Sequence, residues 1–463
     1  MKRKGKYLLA LFALVALLFT GGCTFPGFSS SESLMHPPKA TGDKGEIQSA
    51  LEEYAKSSYV LKYPKSGTNR SAITMKDLDN DEVEEAVATI TLQPDTDEAE
   101  THIYIIDKKG DKWKVVGDFK NKNNDIDIIE FGDVNGDEAI DILVGWSTYN
   151  VTQNELYCYL FGDNIKEINT KETYTNMAVG SFTNDKKSTV ITMSLNSSDV
   201  PAVGRLISVD KKGVVTHYET PMDSDIIKYA SVQTGYIDSK NLGVFVDGIN
   251  ASNRYNTQVL YFNDNKKQLE NPVYSHSVNG VLSTTRSTGT ICEDIDNDGN
   301  LEIPVSKKLP ASSKEELKNS AYETSWCNAN LINGGVTVKN TVIINDNYGY
   351  SIYIPDEWIG NYTAYYNGDS SVLTICYATM SGNSSLCAIG ENIVTYIVTL
   401  SKDWINIGSK QGYTKMQDAG RYSYGCKIDN NSSQSITKDK AWEIFVPKEE
   451  TDAMAIAPTE ASK

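Results

Sequence analysis

Three segments of this chain carry one acidic pattern in one register, and that pattern limits the folds open to the chain more than any other feature. They are Asp77-Leu78-Asp79-Asn80-Asp81-Glu82-Val83-Glu84-Glu85, Asp133-Val134-Asn135-Gly136-Asp137-Glu138-Ala139-Ile140-Asp141 and Asp294-Ile295-Asp296-Asn297-Asp298-Gly299-Asn300-Leu301-Glu302. Two weaker copies, Gly180-Ser181-Phe182-Thr183-Asn184-Asp185 and Gly235-Tyr236-Ile237-Asp238, lie between the second and the third. Anchored at Asp77, Asp133, Ser181, Tyr236 and Asp294, the copies are 56, 48, 55 and 58 residues apart. Between them run short β-like stretches separated by turn residues, such as 86–92, 102–106 and 113–116, with a Lys-Lys-Gly-Asp turn at 108–111 joining the last two. A period of this length holds four short strands, the size of one propeller blade. The expectation is a mainly β chain: a β-propeller of about five blades, four antiparallel strands each, over residues 58–345. The diverged stretch 306–342 leaves room for a sixth.

The acidic segments read as ligand loops. Positions 1, 3, 5 and 9 offer side-chain oxygens: Asp77, Asp79, Asp81 and Glu85; Asp133, Asn135, Asp137 and Asp141; Asp294, Asp296, Asp298 and Glu302. Position 7 (Val83, Ala139, Asn300) would add a backbone carbonyl. Alternate spacing lets a tightly wound loop aim successive carboxylates at one centre. Hard oxygen donors in a loop are calcium (Ca2+) chemistry, whereas magnesium keeps its waters and zinc selects N and S. An EF-hand needs a bidentate Glu at position 12. Here that position is Ala88, Val144 and Val305, each inside a strand-like run, so a helix–loop–helix fits poorly. The bland reading is a set of solvated acidic turns.

The pattern resembles the FG-GAP (integrin α-like, VCBS-type) repeat, and Phe131-Gly132-x-x-Asn135-Gly136-Asp137 is its nearest copy. That resemblance implies a calcium loop joining the first two strands of a blade. The chain departs from it at Glu82 and Glu138, where position 6 is usually Gly, and in the two middle copies, which have lost most ligands.

The flanks differ from the repeats. Met1 to Lys6 is basic, residues 7–19 are an apolar run too short to span a bilayer, and Thr20-Gly21-Gly22-Cys23 comes next. This resembles a bacterial lipobox, with Thr20 where Leu is usual. It implies cleavage after residue 22 and lipidation of Cys23, hence anchoring on the extracytoplasmic side of the cell membrane. The rivals are an ordinary cleaved signal and an uncleaved anchor. Residues 23–42, rich in Ser, Pro and Gly, read as a flexible tether. Residues 43–57 read as a helix capped by Asp43, with Ile47, Ala50, Leu51 and Tyr54 on one apolar face. After residue 345 the repeat stops. Strand-like runs at 372–377, 393–400, 422–428 and 442–446, with a short helical start at 401–407, indicate a small α+β domain over 346–448. Its opening, Gly349-Tyr350 leading to Ile354-Pro355-Asp356-Glu357-Trp358, resembles a domain of uncharacterised envelope lipoproteins and implies no activity. Residues 449–463 have the composition of a disordered tail.

The formal charge of −17 repels phosphate backbones and argues against nucleic acid as a partner. Six further cysteines, Cys158, Cys292, Cys327, Cys376, Cys387 and Cys426, show no CxxC and no zinc spacing. Most read as buried small apolar residues, although an exported chain can form disulfides. There is no GxSxG, HExxH, P-loop or strand-linked GxGxxG. His36, His102, His217 and His276 are scattered, and Trp146, Trp326, Trp358 and Trp404 read as core rather than as a sugar platform. These absences favour a surface-anchored binding module for a protein or glycan ligand. The alternatives are a polysaccharide-active or other extracellular enzyme with its site on the propeller face, and an envelope assembly factor.

Overall fold

The computed structural model describes residues 42–121, 125–147, 153–275, 277, 282–380, 385–429 and 436–447. The leader, Cys23, the tether up to residue 41, His36, His276 and the tail lie outside these residues.

After helix α1 (Asp43–Ala55), the described chain is mostly antiparallel sheet laid down in chain order. The first sheet contains β1 (Tyr59–Leu61), β2 (Ile73–Lys76), β3 (Glu85–Leu92), β4 (Glu100–Lys109) and β5 (Lys112–Asn121). Strands β1 and β2 share one edge of β3: Tyr59 faces Leu92 and Ile73 faces Ala88. Three four-stranded meanders come next. The second sheet is β6 (Asp125–Gly132), β7 (Asp141–Ser147), β8 (Asn154–Leu160) and β9 (Lys166–Tyr174). The third is β10 (Asn176–Gly180), β11 (Thr189–Ser194), β12 (Val203–Val209) and β13 (Val215–Pro221). The fourth is β14 (Ile226–Tyr236), β15 (Leu242–Asn250), β16 (Tyr255–Asn263) and β17 (Gln268–Glu270), after which comes the short helix α2 (Pro272–Ser275).

The fifth sheet holds β18 (Ile303–Lys308), β19 (Tyr322–Ala329), β20 (Val336–Asn345) and β21 (Tyr350–Tyr353). The stretch that left room for a further repeat is thus built into this sheet. A last sheet has the order β22 (Tyr362–Tyr366), β23 (Val372–Met380), β24 (Cys387–Leu400), β26 (Tyr422–Ile428), β25 (Thr414–Ala419). Helix α3 (Lys438–Glu443) then leads to β27 (Phe445–Pro447), which returns to pair with β21.

The second strand of each repeat is buried almost throughout, its Thr and Ser residues included. Every residue of β11 is buried, as is every residue of β7 but the last, whereas β5 alternates buried with exposed positions. Continuous burial means both faces are covered. The apolar clusters show what covers them. Leu78, Val87 and Ile105 of the first sheet pack with Ile142, Val144 and Trp146 of the second. The second packs on the third through Leu156, Ile168, Val190 and Ile207, and the third on the fourth through Ile191, Leu206, Val244 and Leu260. The fourth meets the next segment through Phe245, Val259, Cys292 and Ile303.

Several local expectations need correction. Helix α1 ends at Ala55, and Gly42 rather than Asp43 precedes it, with no side-chain cap. Asp43 instead pairs with Lys108 at 3.1 Å. Ile47 and Leu51 are buried against the first sheet, but Tyr54 is 45% exposed and only leans its ring on Tyr104. Trp442 belongs to α3, so the strand there starts at Phe445. The boundary drawn at 345 falls inside a sheet, since β20 pairs with β21 and Ile343 shares one core with Tyr350, Tyr396 and Phe445. The six cysteines are buried and free, and the four tryptophans read as core are buried. His102 is buried too, its Nδ1 2.6 Å from Asp118.

Candidate metal centre

The three acidic loops occupy one structural position. The first joins β2 to β3, the second joins β6 to β7, and the third leads into β18 from a bridge between Glu293 and Glu302. Each winds into the same hydrogen-bonded knot. The carboxylate at position 1 accepts the N–H of position 6: Asp77 from Glu82 (3.1 Å), Asp133 from Glu138 (3.0 Å) and Asp294 from Gly299 (2.9 Å). Position 5 accepts from position 7: Asp81 from Val83 (2.8 Å), Asp137 from Ala139 (3.1 Å) and Asp298 from Asn300 (2.8 Å). Position 9 reaches back to position 2: Glu85 to Leu78 (2.7 Å), Asp141 to Val134 (2.9 Å) and Glu302 to Ile295 (3.1 Å).

The winding requires left-handed backbone at positions 4 and 6. Asn80, Gly136 and Asn297 have φ of 61°, 80° and 58°, and Glu82, Glu138 and Gly299 have 71°, 79° and 88°. Asn and Gly enter this region readily, but Glu does so under strain. The knots also fasten neighbouring repeats. The N–H at position 8 donates to the preceding copy: Ile140 to Leu78 O (2.7 Å), Ser188 to Asp133 O (2.7 Å) and Leu301 to Tyr236 O (2.9 Å). Gly132 and Gly235 make that approach possible, because a Cβ on either would stand 2.4 Å from Ser188 or Leu301.

The loops share a backbone but not a charge environment. Among the described residues, two groups of carboxylates can hold a metal ion, Asp77, Asp79 and Glu85 in the first loop and Asp294, Asp296 and Glu302 in the third, with oxygens within 4.8 Å of one another. In the first, Glu85 is 1% exposed, and burial pushes its carboxyl up to about 7 against the N–H of Leu78, with Asp79, Asp107 and Asp81 adding repulsion. Burial and the Asp81 charge also raise Asp79. The buried Oδ1 of Asp77 has no hydrogen-bond partner among the described residues. Asp107 at the end of β4 brings a further negative charge to Asp79 and Glu85, and it pairs with Lys109, whose side chain is 60% exposed. An oxygen-only set with surplus negative charge and a bare oxygen fits a hard divalent cation.

The second loop gathers no such group. Asn135 turns its amide N–H to Asp137 (2.8 Å), and both oxygens of buried Asp141 accept backbone N–H groups, from Val134 and Phe161. Burial holds Asp141 at about 6 despite those two bonds. In the third loop the space between the carboxylates contains Lys339 of β20. Neither Asp107 nor Lys339 is legible as a site residue in the sequence. Each sits in a strand with no local acidic pattern, and only sheet pairing carries it to a loop.

Beside the third loop lies a cleft of about 1160 Å³, lined by Glu293, Tyr322, Trp326, Asp346, Tyr353 and Tyr366 among others. No helix among the described residues is long and apolar enough to cross a membrane.

No family model matches the chain, and no curated protein matches it. Solved structures do show likeness. A protein from Lactobacillus plantarum is 10% identical with a TM-score of 0.26, over 71% of this chain and 85% of that one. The Dos1 propeller is 10% identical with a TM-score of 0.25, over 73% of this chain and 80% of that one. A hypothetical protein from Leishmania major is 7% identical with a TM-score of 0.18, over 61% and 89%.

Proposed function

We propose that this chain is an exported, lipid-anchored binding protein whose body is a calcium-stabilised, five-bladed β-propeller of FG-GAP type. The observation that carries the reading is the acidic knot. It recurs between β2 and β3 of the first sheet, between β6 and β7 of the second, and ahead of β18 of the fifth, where the Glu293–Glu302 bridge stands in for a preceding strand, and it fastens each of those repeats to a neighbour. On this reading the sheets are blades, and the last sheet with α3 is a trailing domain joined edge-on to the fifth blade. Cys23 is the lipidated mature N-terminus and holds the body outside the cell membrane. The protein or glycan ligand takes the cleft beside the third loop, where the rings of Tyr322, Tyr353 and Tyr366 and the carboxylates of Glu293 and Asp346 offer stacking faces and hydrogen-bond acceptors.

Two measurements test it. Calcium at a hundredfold excess over its Kd should stabilise the chain by about 2.7 kcal/mol, with Asp79→Ala removing that shift, because only the folded loop binds. A melting curve unmoved by calcium and by chelator rejects the metal. Cys23→Ser should release the protein from membranes or leave the precursor uncut. If the Cys23→Ser variant is still processed to its mature length and stays fully membrane-bound, the anchor is rejected.

A further inference from the structure

We propose that Lys339 is the resident cation of the third acidic loop, so that this loop is closed by an ammonium group where the first is closed by a divalent metal ion. The proposal rests on the calcium reading of the first loop. The Nζ of Lys339 lies 2.8 Å from Asp296, 2.7 Å from Asp298 and 2.9 Å from Glu302. These are positions 3, 5 and 9, three of the four side-chain ligand positions. An ammonium has three N–H donors and no acceptor, so one donor goes to each carboxylate and none is left over. Nitrogen at these distances occupies the volume that a calcium ion with oxygens at about 2.3–2.6 Å would need, so the two exclude each other.

The placement is built into the sheet. Trp326 faces Asn340 and Cys327 faces Val338, which leaves Lys339 as the extra residue of a β-bulge in β20. Bulges re-aim the side chain they carry. The first sheet has a bulge in the corresponding strand, where Ile105 faces Gly117 and Ile106 faces Val115. The residue left over there is Val116, which has no charge. A second exchange accompanies it. One step beyond the pairing of Ala86 with Ile106, Glu85 stands opposite Asp107; one step beyond the pairing of Ile303 with Cys327, Glu302 stands opposite Asn328. Equivalent positions thus read Asp107 and Val116 around the first loop, Asn328 and Lys339 around the third. The first surroundings add an anion and withhold a cation; the third do the reverse.

The test counts calcium ions per full chain, by titration calorimetry and by terbium luminescence, in the wild type, Lys339→Met, Lys339→Arg, Asp79→Ala and Asp296→Ala. The wild type should lose its calcium with Asp79→Ala and keep it with Asp296→Ala. Lys339→Met should gain one ion, a gain that adding Asp296→Ala abolishes, and Lys339→Arg should gain none. If Lys339→Met unfolds in chelator, calcium should restore its fold. A Lys339→Met chain that is folded by circular dichroism yet binds no extra ion overturns the proposal, as does failure of calcium to rescue an unfolded one. A wild type that loses an ion with Asp296→Ala overturns it as well. A wild type that binds no calcium rejects the first-loop reading alone, and the gain in Lys339→Met still decides the third.

Discussion

The loops at Asp77 and Asp294 have the same carboxylates at positions 1, 3, 5 and 9, the same left-handed turns and the same three internal hydrogen bonds, yet they balance their charge differently. In the third, Lys339 reaches across the sheet with a side chain only 22% exposed. In the first, the nearby ammonium of Lys109 stays 60% exposed and pairs with Asp107 outside the loop. The difference shows that the repeat specifies a backbone knot, and that the strands around it set its charge environment separately.

The largest expected effect concerns the knot rather than the cation. Asp141 of the second loop is fully buried and accepts the N–H groups of Val134 and Phe161. Asp141→Ala leaves two donors without partners, and each such loss costs about 1–3 kcal/mol. Chemical denaturation should register a destabilisation of about 3 kcal/mol, with or without calcium. A loss under about 1 kcal/mol would mean that the knot contributes little and that the likeness between the loops is incidental.

The next effect isolates the buried carboxylate of the first loop by pH. Burial raises Glu85 from 4.5 to about 7. Between those values the folded chain retains a proton that the unfolded chain has released, so stability falls as pH rises. In chelator the melting temperature should therefore decline from pH 4.5 to about 7, and Glu85→Gln should make that decline shallower, leaving the share of Asp141 and Glu302, which burial also raises. In calcium the decline should shrink, because the metal favours the ionised carboxylate. A decline of equal slope in wild type and Glu85→Gln would assign it to other groups.

The smallest effect tests the strain that distinguishes the loops at position 6. Glu138 sits at φ 79° where Gly299 of the third loop sits at 88°. A left-handed non-glycine residue costs about 1–2 kcal/mol, and glycine returns about 0.5–1 kcal/mol of that as chain entropy. Glu138→Gly should thus stabilise the chain by about 0.5 kcal/mol, and Gly299→Glu should destabilise it by a similar amount. Equal and opposite shifts in the melting temperature would show that the two backbones are interchangeable; shifts of one sign would show that they are not.

The amino-acid sequence by itself determined the repeat, the place of the loops and the strand character of the segments after them. Those properties come from short-range chemistry: left-handed Asn and Gly, carboxylates two residues apart, and β-branched runs that cannot stay in water. The continuous burial of the second strands was less legible, since 189–194 mixes Thr189, Thr192 and Ser194 with Val190, Ile191 and Met193. Only the tertiary structure decided which charged side chains stand around each loop, Asp107 at the first and Lys339 at the third. Asp107 lies 22 residues beyond Glu85 and Lys339 lies 37 beyond Glu302, and neither is marked by its neighbours in the chain. Their approach depends on antiparallel pairing and on one bulged residue, and a slip of a single position would turn either side chain to the other face of its sheet. The same holds for the join at residue 345. The repeat pattern ends there, but the backbone donors and acceptors of β20 still need partners, and β21 supplies them.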